Sequence, residues 1–220
     1  MQDDLKPSVA EFIGTFMLVF IGAGAGALGS GGILGVALAH GVALMVIVYT
    51  FGAVSGAHVN PAVTLGVAWA GRISWKRAGW YWAAQAAGAV VAALLLRVVL
   101  GGTTDLGATR LGPDVGAGRG FLVEGVLTSF LVMSVLVSGV WGKNGNLAGV
   151  AIGFVLTMDI LMGGGLTGAS MNPARTLGPM VVLGDFADLW VYLAGPAAGA
   201  LLAVVAARYV HSERGGGPTS

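Results

Sequence analysis

The sequence predicts an all-α membrane protein with six transmembrane helices and two re-entrant half-helices, built as an inverted repeat of three spans per half. Three observations carry that expectation. The 220 residues are 56% hydrophobic and only 10% charged, with a mean hydropathy of +0.86; a soluble domain holds about a quarter charged residues. The apolar residues fall in runs long enough to cross a bilayer. Two polar stretches, SGAHVNPAVTLG at 55–66 and TGASMNPARTLG at 167–178, interrupt those runs in nearly the same words.

Full spans are expected near 9–28, 33–53, 79–100, 121–140, 147–165 and 189–210. Each has about 20 residues, and a helix rising about 1.5 Å per residue then crosses a hydrocarbon core of about 30 Å. Residues 9–28 are read as a retained first span rather than a signal peptide, because MQDDLKPSVAEF is acidic rather than basic and no small-residue cleavage pattern accompanies it. The apolar pieces at 61–70 and 173–183 reach only halfway. Such half-helices are tolerated at membrane depth only where they are buried in protein or line water. Each opens on Asn-Pro, the favoured pairing of an N-cap with a first helical residue whose missing N–H is not needed.

In this layout Lys6, Arg72, Lys76, Arg77, Lys143, Arg208 and Arg214 fall on one side, and Arg97, Arg110 and Arg119 on the other. The richer side is cytoplasmic, which puts both termini in the cytoplasm. The 39 glycines are scattered through the spans, where small residues let helix backbones approach closely in lipid. Only the closing GGGPTS reads as a flexible tail. The six tryptophans mostly flank the spans, as interfacial anchors do.

AEFIGTFMLVF at 10–20 resembles VEGVLTSFLVM at 123–133, setting Glu124 113 positions after Glu11. GVALAHG at 35–41 answers GVAIGFV at 149–155, and Asn172 lies 112 positions after Asn60. Near-constant offsets indicate an internal duplication, with halves of about 8–102 and 121–210 in one transmembrane domain over 1–220. Three spans per half is odd, so the halves insert in opposite directions. The half-helices then meet N-terminus to N-terminus near the midplane. If each Asn oxygen caps its own helix, its amide NH₂ is left free to face a lumen, and two such donors can hold one water oxygen. The facing helix dipoles add about half a positive charge each, a barrier to cations. The plainer reading, two Pro-initiated buried helices, does not account for their recurrence at matching repeat positions.

The paired motifs Asn60-Pro61-Ala62 and Asn172-Pro173-Ala174, with a glutamate opening each half, resemble the aquaporin, or major intrinsic protein, family over essentially the whole chain. The resemblance implies a homotetramer with one pore per subunit and passive flux of water and small neutral solutes, excluding protons and ions. It implies that Glu11 and Glu124 brace the re-entrant loops, so that the backbone of Gly56, Ala57, His58, Gly168 and Ser170 lines the pore. It also implies a narrow filter of His40, Ile160, Ala169 and Arg175, with the arginine as its cationic corner. An intramembrane charge is in any case a functional candidate.

This filter departs from the strict water-channel pattern and lacks the aromatic wedge of glycerol facilitators. It is most similar to that of plant vacuolar-membrane aquaporins, which extends the expected solutes from water to ammonia. Thr176 points to water, Leu193 after Tyr192 points to glycerol, and Met180 matches neither pattern. His58 is either a pH-sensitive group near the pore mouth or a locally bonded residue whose carbonyl faces the path. Asp159, beside Ile160, stands where the vacuolar relatives carry Asn, and its role is left open.

The chain has no cysteine, which excludes disulfides and thiolate chemistry. No P-loop, metal-ligand spacing or catalytic triad is present, so neither an enzyme activity nor a metal or cofactor is expected. A net charge of +1 offers no nucleic-acid surface. The expected setting is the lipid bilayer of the plasma membrane. Three other readings remain at this point: a glycerol or urea facilitator with little water selectivity, an inverted-repeat secondary transporter with saturable ion-coupled uptake, and a closed tetrameric scaffold. With no thiol to capture, a mercurial is expected to leave osmotic shrinkage of reconstituted liposomes unchanged. Inhibition relieved by a thiol reductant, followed by light scattering, would contradict this.

Overall fold

The computed structural model describes residues 2–211, and among these the regular secondary structure is entirely helical. Helix α1 (Gln2–Leu18) runs through a π-helical stretch, Val19–Ala23, into the short α2 (Gly24–Ala27). There follow α3 (Gly32–Ser55), the half-helix α4 (Pro61–Trp69) and α5 (Trp75–Val99). The second half repeats the order: α6 (Ala117–Ser134) with a π-helical end, Val135–Val140, then α7 (Ala148–Thr167), the half-helix α8 (Pro173–Leu183) and α9 (Leu189–Val210). Six helical stretches among the described residues are long and apolar enough to cross a membrane: Asp4–Ala27, Gly32–Ser55, Trp75–Val99, Ala117–Val140, Gly145–Thr167 and Leu189–Val210. Arg214 and the GGGPTS tail lie outside the described residues.

Two boundaries differ from the hydropathy reading. The first helix begins well before residue 9, anchored by Arg77, whose Nε donates to Asp4 Oδ1 at 2.8 Å. The third begins at Trp75 because Ser74 caps it, its Oγ accepting from the Arg77 N–H at 3.2 Å. Hydropathy sees only the apolar interior of such helices. It is equally blind to the two π-helical stretches, which occupy corresponding places in the two halves.

The half-helices start as the Asn-Pro pairs predict. Asn60 is extended (φ −159°), and its Oδ1 accepts from the Ala62 N–H at 2.8 Å and the Val63 N–H at 3.5 Å. Asn172 repeats this with Ala174 and Arg175 at 3.1 and 3.2 Å. Each side chain thereby satisfies N–H groups that have no partner in the helix.

Packing follows the duplication. The helix pairs α1–α5 and α6–α9 make equivalent crossings, each opened by a glycine. A Cβ on Gly88 would overlap the Phe12 carbonyl, and a Cβ on Gly199 would overlap the Gly125 carbonyl. The α3–α7 crossing, which joins the halves, sets Gly153 against the Gly41 carbonyl. Small residues are what allow such backbone contact in lipid, where no hydrophobic force draws helices together. Gly88→Leu is expected to destabilise the fold by about 1–3 kcal/mol through overpacking. Gly79→Ala, on the same helix with no neighbour near its Cβ, is expected to be neutral. Thermal unfolding in detergent compares the two.

Candidate functional site

The site is built on two buried carboxylates. Glu11, fully buried on α1, accepts from the His58 N–H (2.8 Å), the Val59 N–H (2.6 Å), Ser55 Oγ (2.6 Å) and Gln85 Nε2 (2.8 Å). Glu124, fully buried on α6, accepts from the Ser170 N–H (2.9 Å), the Met171 N–H (2.6 Å) and Thr167 Oγ1 (2.7 Å). Behind each loop a tyrosine closes the arrangement: Tyr81 donates to the Ser55 carbonyl and Tyr192 to the Thr167 carbonyl, both at 2.8 Å.

These bonds hold a backbone that L-residues avoid. Ala57 and Val59 have φ of 49° and 43°, and Ala169 and Met171 have 44° and 52°. Each such residue costs of order 1–3 kcal/mol and persists only where its surroundings overdetermine it. Gly56 and Gly168, at φ 88° and 77°, end the preceding helices in the left-handed region that glycine reaches freely. With the loop N–H groups turned to the carboxylates, the stretch Gly56–Asn60 and the pair Ser170 and Asn172 border a cavity.

The two loops are joined directly. Asn60 Nδ2 donates to the Met171 carbonyl at 2.8 Å, and Asn172 Nδ2 donates to the Val59 carbonyl at 2.9 Å. The expectation that both amides are wholly free is therefore corrected. One N–H of each is committed to the opposite loop, because the left-handed residue before each Asn leaves a carbonyl that needs a donor. An amide carries two N–H groups, so one remains on each side chain, and both asparagines border the cavity.

The cavity has a volume of about 370 Å³. It extends from His40 and Arg175 past both asparagines, between apolar walls that include Leu44 and Leu156, to Tyr49 and Asn146. His40 is 5% exposed, with Nδ1 2.9 Å from the Val36 carbonyl. A carbonyl only accepts, so Nδ1 carries a proton, and in the neutral form of the ring Nε2 is then an acceptor. The ring lies against Gly22, where any Cβ would overlap it; Gly22 belongs to the first π-helical stretch, which thus makes room for the imidazole. Arg175, also 5% exposed, donates from Nη1 to the Gly107 carbonyl at 2.6 Å. Of the four filter residues expected from the sequence, His40 and Arg175 border this cavity. Ile160 and Ala169 are buried at 2% and 3% exposure and are not among its lining residues, nor is Gly168.

Gln85, Thr109 and Tyr81 escaped the sequence reading. Gln85 donates to both Glu11 and Thr64, and an amide in the Ala-rich third span was the available signal. Thr176 bonds Ser170 Oγ at 2.6 Å and Thr109 at 2.8 Å, which ties loop, half-helix and connecting segment together. His58 is bonded locally, with Nδ1 3.2 Å from Thr64 Oγ1 and its ring edge-on to Tyr81. Leu193 is exposed on the outer face, away from the cavity lining. Asp159 is 1% exposed, and its Oδ2 has no partner among the described residues; it too is absent from the cavity lining.

The sequence profile of the major intrinsic proteins matches residues 2–207, and the chain belongs to that family. It is 44% identical over 216 residues to Aquaporin TIP1-2 of Zea mays, covering 92% of this chain and 85% of that protein. It is 43% identical over 203 residues to Aquaporin NIP1-3 of Oryza sativa subsp. japonica, covering 88% of this chain and 69% of that one. The X-ray structure of the aquaglyceroporin from Plasmodium falciparum superposes with a TM-score of 0.86 at 24% identity, over 95% of this chain and 98% of that one; the fold is the same. The chain is accordingly an integral membrane channel for passive movement of water and small solutes, and not an enzyme.

Glu124→Gln would set an amide NH₂ against loop N–H donors and remove the charge that they solvate. Hydrogen bonds to charged groups contribute about 1.5–3 kcal/mol each, so a loss of about 3 kcal/mol in stability is expected, with a parallel loss of water permeability. Chemical unfolding and liposome shrinkage measure the two on one preparation.

Proposed function

We propose that water is the principal solute of this channel and that ammonia and other small neutral solutes also pass. In this reading the chain forms a homotetramer in the plasma membrane, one pore per subunit, with both termini cytoplasmic. The observation that carries the solute reading is the set of polar groups along one cavity: His40 and Arg175 at its end, Asn60 and Asn172 in its middle. Arg175 and the remaining amide N–H groups donate to a water oxygen. His40 Nε2 and the carbonyls of the Gly56–His58 stretch accept its hydrogens.

A water oxygen that accepts from both asparagines cannot also accept from the next water, which interrupts proton hopping. The N-termini of α4 and α8 and the Arg175 charge oppose cations. Ile160 and Ala169 lie outside the lining of the described cavity; in this reading they back His40 and Arg175 with aliphatic surface, less polar than a second histidine would be. The similarity to the Zea mays Aquaporin TIP1-2 supports water as a solute. The orientation rests on the bias of Lys and Arg to one side.

Stopped-flow light scattering on reconstituted liposomes tests the proposal. Fast shrinkage in sucrose is expected, together with fast alkalinisation of the lumen in an ammonium gradient and slow re-entry of glycerol. Removing a buried donor that the permeant uses, worth about 1.4 kcal/mol, changes relative permeability about tenfold. Arg175→Ala is expected to raise glycerol and urea entry relative to water by that order, and His40→Phe to depress ammonia and water together. Glycerol entry as fast as water would replace this reading with that of a solute facilitator. Saturable, ion-coupled uptake would replace it with that of a transporter.

A further inference from the structure

At the end of the molecule bearing most of its Lys and Arg, an open surface pocket of about 450 Å³ lies beside the channel mouth, its charged lining residues exposed. Arg72, Val140, Trp141, Lys143, Arg208 and His211 line it. Val140 borders the channel cavity as well, so the two are neighbours. The basic groups arrive from three places: Arg72 from the turn after α4, Lys143 from the turn after the second π-helical stretch, Arg208 and His211 from the end of α9. Among the described residues, no carboxylate lines it.

Three of these side chains are positioned. Arg208 Nη2 donates to the Trp69 carbonyl at the end of α4 at 3.2 Å, which holds its guanidinium at the rim. The rings of Trp141 and His211 meet edge to face, with centroids 5.8 Å apart. Among the described residues the side chains of Arg72 and Lys143 have no hydrogen-bond or ion-pair partner. Gathering like charges in one concavity without a counter-charge is unfavourable by Coulomb's law, and an anion with several acceptor oxygens relieves it. Arginine forks match phosphate geometry, with lysine as a mobile point charge. A basic pocket at helix ends flanked by an interfacial tryptophan is also where an anionic headgroup sits.

We propose that this cavity is an anion site that binds a phosphate group, carried by a lipid headgroup or free in solution, next to the channel mouth. It is independent of which solutes the channel passes.

The test uses the full-length protein in a neutral detergent, with dioctanoyl phosphatidic acid, dioctanoyl phosphatidylcholine and inorganic phosphate as probes, and native mass spectrometry as the readout. Phosphatidic acid is expected to bind saturably. Arg72→Gln/Lys143→Gln should weaken it at least about tenfold, the effect of losing a charge-assisted contact. Lys6→Gln/Lys76→Gln removes as much charge from the same face outside the cavity and should leave binding unchanged. Unaltered water permeability establishes that a variant is folded; should the double variant fail to fold, Arg72→Gln alone is set against Lys76→Gln. Displacement by millimolar phosphate identifies a water-borne anion, and binding of the amphiphile alone identifies the headgroup. Equal binding of phosphatidylcholine, or equal weakening by both double variants, overturns the proposal.

Discussion

Two carboxylates buried in the membrane interior hold this structure's functional centre in place. A charge there is costly unless it is fully solvated by fixed dipoles, and Glu11 and Glu124 obtain that solvation from loop N–H groups and hydroxyls. The dependence runs both ways. The loops contain left-handed Ala, Val and Met residues that have no local reason to stay so, and the carboxylates supply the reason. Each half of the molecule thus exchanges two unfavourable features, a buried charge and a strained backbone, for one satisfied network.

The next constraint is the join between the halves. Asn60 and Asn172 each do two things with one side chain, the oxygen capping a half-helix and one N–H binding the opposite loop, and both residues border the cavity. The cross-bonds set the separation of the two helix N-termini, and with it the distance between the donors. In the proposed channel, pore chemistry and the assembly of the halves therefore rest on the same two residues.

Close helix contact carries this arrangement outward. Gly88 and Gly199 let α5 and α9 press on the backbones of α1 and α6, the helices that carry the two glutamates. The first π-helical stretch brings Gly22 under the His40 ring. Van der Waals packing of small residues thereby fixes polar groups whose positions a looser bundle would leave to thermal motion.

By itself the sequence determined the spans and the half-helices and marked Glu11, Glu124, Asn60, Asn172 and Arg175 as polar groups at membrane depth, while His40 was marked through the family resemblance. Composition, period and a repeated Asn-Pro pair are local signals, and a bilayer allows few answers to them. The tertiary structure alone decided which donors those residues meet. It committed one amide N–H of each Asn to the facing loop, brought in Gln85 and Tyr81 from α5 and Tyr192 from α9, and set His40 and Arg175 at the end of the cavity. It also gathered Arg72, Lys143 and Arg208 into one basic pocket from positions far apart in the chain. Each of these depends on the distance between groups on different helices, which no spacing along the sequence encodes.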